Sequence, residues 1–144
     1  MIRKADKNDL DMVTTLAMKL WPNHQFGELL GELTAIMEKT GAAFFLAEEG
    51  GKTLGFAQCQ LRFDYVEGTE YSPVGYLEGI YVEEGIRGRG IAKQLLTACE
   101  TWARELGCRE FASDCELGNN GSLGFHLAMG FEEANRIICF TKKL

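Results

Sequence analysis

The chain has 144 residues, 46% of them hydrophobic and 25% charged, with a net charge of −6. These values fit one domain with a substantial core and argue against disorder. An acidic balance is a poor match to nucleic acid and a better one to a cationic partner.

No apolar run approaches the roughly 18 residues that a membrane span needs. The opening residues, Met1 to Val13, contain no long apolar core of a signal peptide. The five cysteines are scattered, with no CxxC and no Cys/His cluster, so neither a metal site nor a disulfide framework is signalled. Reduced thiols packed in a cytoplasmic protein are the expectation.

In chain order, Met1 to Lys4 reads as a short strand. Asn8 or Asp9 is placed to cap a helix carrying Leu10, Val13, Leu16, Ala17 and Leu20 on one face. Trp21-Pro22 breaks it, because the residue before a proline is pushed out of helical geometry. A second helix is expected from Phe26 to about Lys39, stopped by Gly41. The period then changes to two. Ala42 to Glu48 and Thr53 to Phe63 form a hairpin about Gly50-Gly51, and Val74 to Val82 is the next strand after a polar loop.

A third helix follows Ile91, Leu95, Ala98, Trp102 and Leu106, with Glu100 and Arg104 spaced to pair on its wet face, and ends at Gly107. Arg109 to Cys115 is read as a strand. Asn119 or Asn120 caps a short helix through Leu127. Phe131 to Phe140 is read as a final strand. The order β-α-α-β-β-β-α-β-α-β predicts a mixed α/β (α+β) architecture, a central sheet flanked by helices, in one domain over residues 1–144. Strand 74–82, the third helix and strand 109–115 form a βαβ unit whose strands should be parallel neighbours.

The segment between that strand and helix holds the chemistry. Arg87-Gly88-Arg89-Gly90 opens a helix, where unpaired N–H groups and the positive end of the dipole attract anions. The glycines permit close approach of a phosphate, and the arginines can pair with it. A tight turn with surface arginines is the alternative. The segment is neither a Walker loop nor the dinucleotide fingerprint, since Lys93 stands where a third glycine belongs.

Upstream, Phe63 to Ile86 carries six acidic residues and no lysine or arginine, and Leu20 to Glu38 is likewise base-free. Two such stretches supply a field for a polycation, or simply a solvated acidic face.

Arg87-Gly88-Arg89-Gly90-Ile91-Ala92 resembles the (Q/R)xxGx(G/A) signature of the GCN5-related N-acetyltransferases, and the element order resembles theirs over nearly the whole chain. The resemblance implies that Arg87 to Ala92 binds the pyrophosphate of acetyl-CoA. It also implies that the backbone of Ile80, Tyr81 and Val82 holds the acetyl carbonyl. His126 occupies the place of a tyrosine that commonly acts as general acid toward the CoA thiolate, with Asn119 earlier in the same segment; a packing histidine is the other reading.

A narrower likeness rests on Leu20-Trp21-Pro22-Asn23-His24, Phe63-Asp64-Tyr65-Val66-Glu67-Gly68, Ser72-Pro73-Val74, Leu77-Glu78-Gly79-Ile80, Gly107-Cys108-Arg109-Glu110 and Ala112-Ser113-Asp114. Together these are similar to the aminoglycoside 6'-N-acetyltransferases, and imply a role in antibiotic resistance. That likeness assigns Trp21, His24, Tyr65, Glu78, Asp114 and Asn119 to the drug site, with Asn135 where a further acidic residue is used. Trp21 stacks on a sugar ring or packs as a core aromatic.

The implied reaction needs a proton acceptor for a charged amine. Glu78 is the leading acceptor and Asp114 the second, each as base or as ammonium anchor. No cysteine is paired with a histidine in the sequence, so direct transfer in a ternary complex is expected, without metal. A polyamine or another small cationic amine is the alternative acceptor. A homodimer is expected, with Ile137, Ile138 and Phe140 as contact or core residues. Gly79 is expected to permit a bulge that splays two parallel strands.

Overall fold

A computed structural model describes residues 1–144. Five strands form one sheet in the order β1 (Ile2–Lys4), β2 (Ala42–Glu49), β3 (Lys52–Arg62), β4 (Val74–Val82) and β5 (Phe111–Ser113). The first four are antiparallel to their neighbours and β5 runs parallel to β4. The helices are α1 (Leu10–Leu20), α2 (Phe26–Met37), α3 (Ile91–Glu105) and α4 (Asn120–Ala128). No helix is long and apolar enough to cross a membrane.

The alternation of the strands divides the core in two. Ala43, Phe45, Ala47, Ala57, Cys59 and Leu77 face α3, where they meet Leu95, Leu96, Cys99 and Trp102. Phe44, Leu46 and Phe56 face the other way, toward Val13, Leu16, Ala17, Leu29 and Leu33 of α1 and α2. Phe44, Leu46 and Phe56 are almost fully buried, each contributing about 1.5–3 kcal/mol relative to exposure.

Asp9 stands at the N-cap position of α1 but its side chain does not cap that helix; it closes the preceding turn together with Asp6. The Asp6 carboxylate accepts from the Asn8 N–H at 2.8 Å, and the Asp9 carboxylate accepts from the Asp6 N–H, a reciprocal capping box. Arg3 donates to both Asp9 and Glu48, which ties β1 to β2 and to the start of α1.

Other boundaries also differ from the sequence reading. Helix α2 ends at Met37, and β5 keeps only three of the seven expected residues. Glu100 and Arg104 are absent from the ion pairs. The largest difference is the final strand. Residues 131–140 pair with no strand of this chain, and Ile137, Ile138 and Phe140 are 66%, 80% and 90% exposed. Their pattern suits a strand, but a strand exists only where a neighbour supplies hydrogen bonds.

Candidate active site

The site is organised by an irregularity in β4. Gln58 pairs with Gly79 and Cys59 with Leu77, so Glu78 has no partner on β3. This is a bulge. It also breaks the alternation: Leu77, Ile80 and Val82 all pack toward α3, a three-residue step in a pattern of twos. Glu78 and Gly79 are thereby both delivered to the α1 side. Gly79 stands next to the bulge but has no left-handed φ that the bulge would demand of it, and its lack of a side chain has a different use. A β-carbon there would lie 2.7 Å from the Trp21 ring and 3.0 Å from Leu20.

Beyond Leu77 the parallel pairing also stops. β4 and β5 bond through Gly75, Tyr76 and Leu77 against Phe111, Ala112 and Ser113, and β4 then continues to Val82 with β3 as its one partner. The free edge of Ile80, Tyr81 and Val82 opens a fork between the two parallel strands.

Glu78 and Asp114 are joined through two residues that sequence reasoning missed. Arg62 donates to both oxygens of Glu78 at 2.7–2.9 Å, and its guanidinium lies 3.4 Å from the centre of the Tyr76 ring. The Tyr76 hydroxyl donates to Asp114. Burial, and then the bond to Asp114, push the Tyr76 phenol well above its ordinary range, so it remains a donor. The Glu78 side chain is 16% exposed and its charge is met by Arg62. Any cation that approaches Glu78 would have to share or replace that guanidinium. Arg62 sits at the border of the base-free stretch, and only that border position hinted at it.

Trp21, at the break after α1, is partly buried, edge-on to Phe56 at 6.4 Å between ring centres. It is therefore a wall packed on the sheet, with one part still accessible. His24 is exposed on the following turn, and its N–H reaches the Trp21 carbonyl. The loop after β3 is pinned by Glu110, whose carboxylate accepts from the N–H groups of Glu70 and Tyr71. That loop holds Tyr65, which is 76% exposed.

A cleft of about 1120 Å³ runs between this loop, β5, α4 and the C-terminal segment. Tyr65, Asp114, Asn119, His126 and Asn135 line it, whereas Trp21, His24 and Glu78 do not. Two of the lining residues have local tasks. Asn119 caps α4 by accepting from the Ser122 N–H, and the Asn135 side-chain oxygen accepts from the Arg136 N–H. Asn135 lies on the unpaired C-terminal segment.

His126, on α4, sits between Ser122 and Ser113. Its Nδ1 is 2.7 Å from the Ser122 carbonyl and its Nε2 2.8 Å from the Ser113 hydroxyl oxygen.

At the far end of β4, the glycine stretch is set for an anion. Gly88 and Gly90 have φ of +86° and +80°, and the space beside each is open. Gly90 is the N-cap of α3, and no side chain caps that end. No acidic residue lies in the first turn. The N–H groups of Ile91 and Ala92 are thus left to a ligand. Arg87 braces the loop by donating from Nε to the Val82 carbonyl at 2.8 Å. Arg89 pairs with Glu49, but both side chains are about half exposed, so a phosphate can compete for it. The loop and the fork fit the two ends of acetyl-CoA: pyrophosphate at α3, thioester at the splay.

Residues 10–131 match the model of the acetyltransferase (GNAT) family. The chain belongs to that family of acetyltransferases. Within it, the chain is 41% identical to the aminoglycoside N(6')-acetyltransferase type 1 of Salmonella typhimurium, covering 99% of this chain and 98% of the relative. It is 42% identical to that of Stenotrophomonas maltophilia, covering 99% and 93%. Among solved structures it superposes on AAC(6')-Iy in complex with the bisubstrate analogue CoA-S-monomethyl-acetylneamine, with a TM-score of 0.95 and 40% identity over 100% of this chain and 98% of the other. It superposes equally on the 6'-N-acetyltransferase AAC(6')-IG of Acinetobacter haemolyticus, with a TM-score of 0.95 and 36% identity over 100% and 99%.

Proposed function

We propose that this chain is an aminoglycoside 6'-N-acetyltransferase, a catalytic domain spanning residues 1–144 that transfers acetyl from acetyl-CoA to the 6'-amine of the drug and so inactivates it. One observation carries the reading: the strand that bears Glu78 and its bulge leads into an uncapped, glycine-opened helix start, in a chain that aligns end to end with aminoglycoside N(6')-acetyltransferases. An aminoglycoside is a polycation, which suits the two base-free stretches.

Acetyl-CoA supplies an activated acyl group on a good leaving sulfur. The N–H groups at the start of α3, with Arg87 and Arg89, hold its phosphates. The free edge of Ile80 to Val82 offers backbone donors to the thioester carbonyl. On the α1 side of the fork, Glu78 and Asp114 anchor the ammonium. One of them, or a water between them, takes its proton, because a charged amine has no lone pair to attack with. Trp21, His24, Tyr65, Asn119 and Asn135 form the surrounding walls. His126 returns a proton to the departing thiolate.

The test is CoA release, followed with a thiol reagent, from acetyl-CoA with kanamycin or tobramycin, and with spermidine as the control amine. Release with the drug alone supports this reading. Release with spermidine alone moves the acceptor to polyamines. Replacing His126 with Ala should lower turnover by ~100-fold or more while leaving both KM values near wild type.

We also propose that the working form is a cytoplasmic homodimer. The exposed Ile137, Ile138 and Phe140, the unpaired segment that carries them and the free outer edge of β5 support it. Light scattering of the full chain, against a variant ending at Asn135, tests the dimer: the shortened chain should be monomeric.

A further inference from the structure

We infer that Ser113 is a proton relay between His126 and the departing sulfur. This rests on the reading of His126 as the acid, and names the group through which its proton must pass.

The His126 imidazole is engaged at both nitrogens. Nδ1 faces the Ser122 carbonyl at 2.7 Å, with the Ser122 hydroxyl a longer contact at 3.4 Å. A carbonyl oxygen only accepts, so Nδ1 keeps its proton whether the ring is neutral or charged. The proton that comes and goes is therefore the one on Nε2. That nitrogen is 2.8 Å from the Ser113 hydroxyl oxygen. In the neutral ring the serine donates to Nε2. In the charged ring Nε2 donates to the serine, whose own proton is then free to turn elsewhere. Its other neighbour is the Leu77 carbonyl, at 3.2 Å.

Ser113 stands at the fork itself, in the last bonded pair between β4 and β5. It also stands on a particular side. Phe111 packs against the α3 core, and a β-carbon at its partner Gly75 would touch Ala103 of α3. Two residues along the strand, Ser113 points the same way. Glu78 and Asp114 serve the opposite face. The amine thus loses its proton on one side of the sheet, and the sulfur receives one on the other.

In the transfer step the deprotonated amine nitrogen forms the C–N bond to the acetyl carbonyl carbon, the C–S bond breaks and sulfur takes its pair. The Ser113 Oγ proton goes to sulfur while Oγ accepts the Nε2 proton of charged His126. The ring is left neutral with Nδ1 still protonated, and is recharged from solvent. The proton lost by the ammonium leaves through the carboxylates.

The decisive experiment combines single-turnover acetyl transfer with imidazole ¹⁵N NMR. The chain has two histidines, so assignment is direct. Ser113→Ala should slow transfer by ~100-fold with both KM values within about threefold, and Ser113→Thr should restore most of the rate. Combining Ser113→Ala with His126→Gln should cost no more than either alone. The wild-type proton inventory should be curved, with two protons in flight. In the spectrum, adding CoA should move the Nε2 resonance of His126 in wild type but not in Ser113→Ala. Wild-type rates in Ser113→Ala alongside a slow His126→Ala would overturn the relay and leave His126 as a direct acid. Wild-type rates in both would overturn the acid reading itself.

Discussion

The six-membered ring of Trp21 fills the space that a side chain at position 79 would occupy, 2.7 Å from where a β-carbon would stand. Trp21, the proposed wall of the acceptor site, is therefore seated on a missing methyl group. Gly79→Ala must displace the indole or bend β4, since heavy atoms do not approach that closely. The expected result is a loss of about 1–3 kcal/mol in thermal or denaturant unfolding. It should come with a raised KM for the aminoglycoside and an unchanged dissociation constant for CoA by calorimetry. Unchanged acceptor kinetics would show that Trp21 does not shape the site.

Arg62 holds Glu78 where an ammonium is expected to bind. Arg62→Ala removes the competitor and also the stacking surface of Tyr76. Glu78 would then be freer to bind the drug but less well oriented. The expected signature is a KM for the drug that changes by no more than a few-fold and a kcat that falls by ~10-fold or more. Glu78→Gln, which keeps the shape and loses the charge, should instead raise KM and lower kcat together. Steady-state kinetics on both variants separate anchor from orientation.

Tyr76→Phe deletes the donor to Asp114 and nothing else in that row. Asp114 is exposed, so it will exchange the lost bond for water and keep its charge, but not its aim. A several-fold fall in kcat/KM for the drug is expected, with acetyl-CoA binding unaffected. Equal losses for both substrates would place Tyr76 in the scaffold instead.

Acid stability provides a check away from the site. The paired Arg3 guanidinium holds the Asp9 carboxyl down to about 2, below its usual value of about 3.9. A depressed carboxylate contributes stability that is complete above the unfolded value and is lost as pH falls through the folded one. Unfolding curves between pH 4 and pH 2 should therefore steepen in wild type relative to Asp9→Asn, and converge above pH 5 in slope. Asp6→Ala, which removes the reciprocal cap, should cost about 1 kcal/mol at neutral pH.

Most of the fold could be read because periodicity is local. The stripe of Ile91, Leu95 and Trp102 marks α3 without reference to anything else. The βαβ unit and the anion-ready helix start follow from the glycines beside it. Glu78 and Asp114 could be named from the resemblance. Their partners could not: Arg62 reaches Glu78 across the Tyr76 ring from sixteen positions earlier in the chain, and only the pairing of β3 with β4 brings the two together. Ser113 was legible as part of a short similar run, yet its bond to His126 depends on how α4 lies over β5. The final strand failed for a different reason. Ile137, Ile138 and Phe140 state a preference for pairing, and the sequence says nothing of where the partner edge lies.

The two-sided core has a consequence for how such a protein can change. The glycine stretch leads into α3 of the larger layer, while Trp21, at the break after α1, rests on the smaller one. The sheet stands between them as a partition. Under the proposed function, substitutions in the α1–α2 layer act on the acceptor side, through Trp21 and its seat on Gly79, and leave the phosphate grip at α3 alone. Drift in drug spectrum with an unchanged cofactor grip is the evolutionary route this architecture leaves most open.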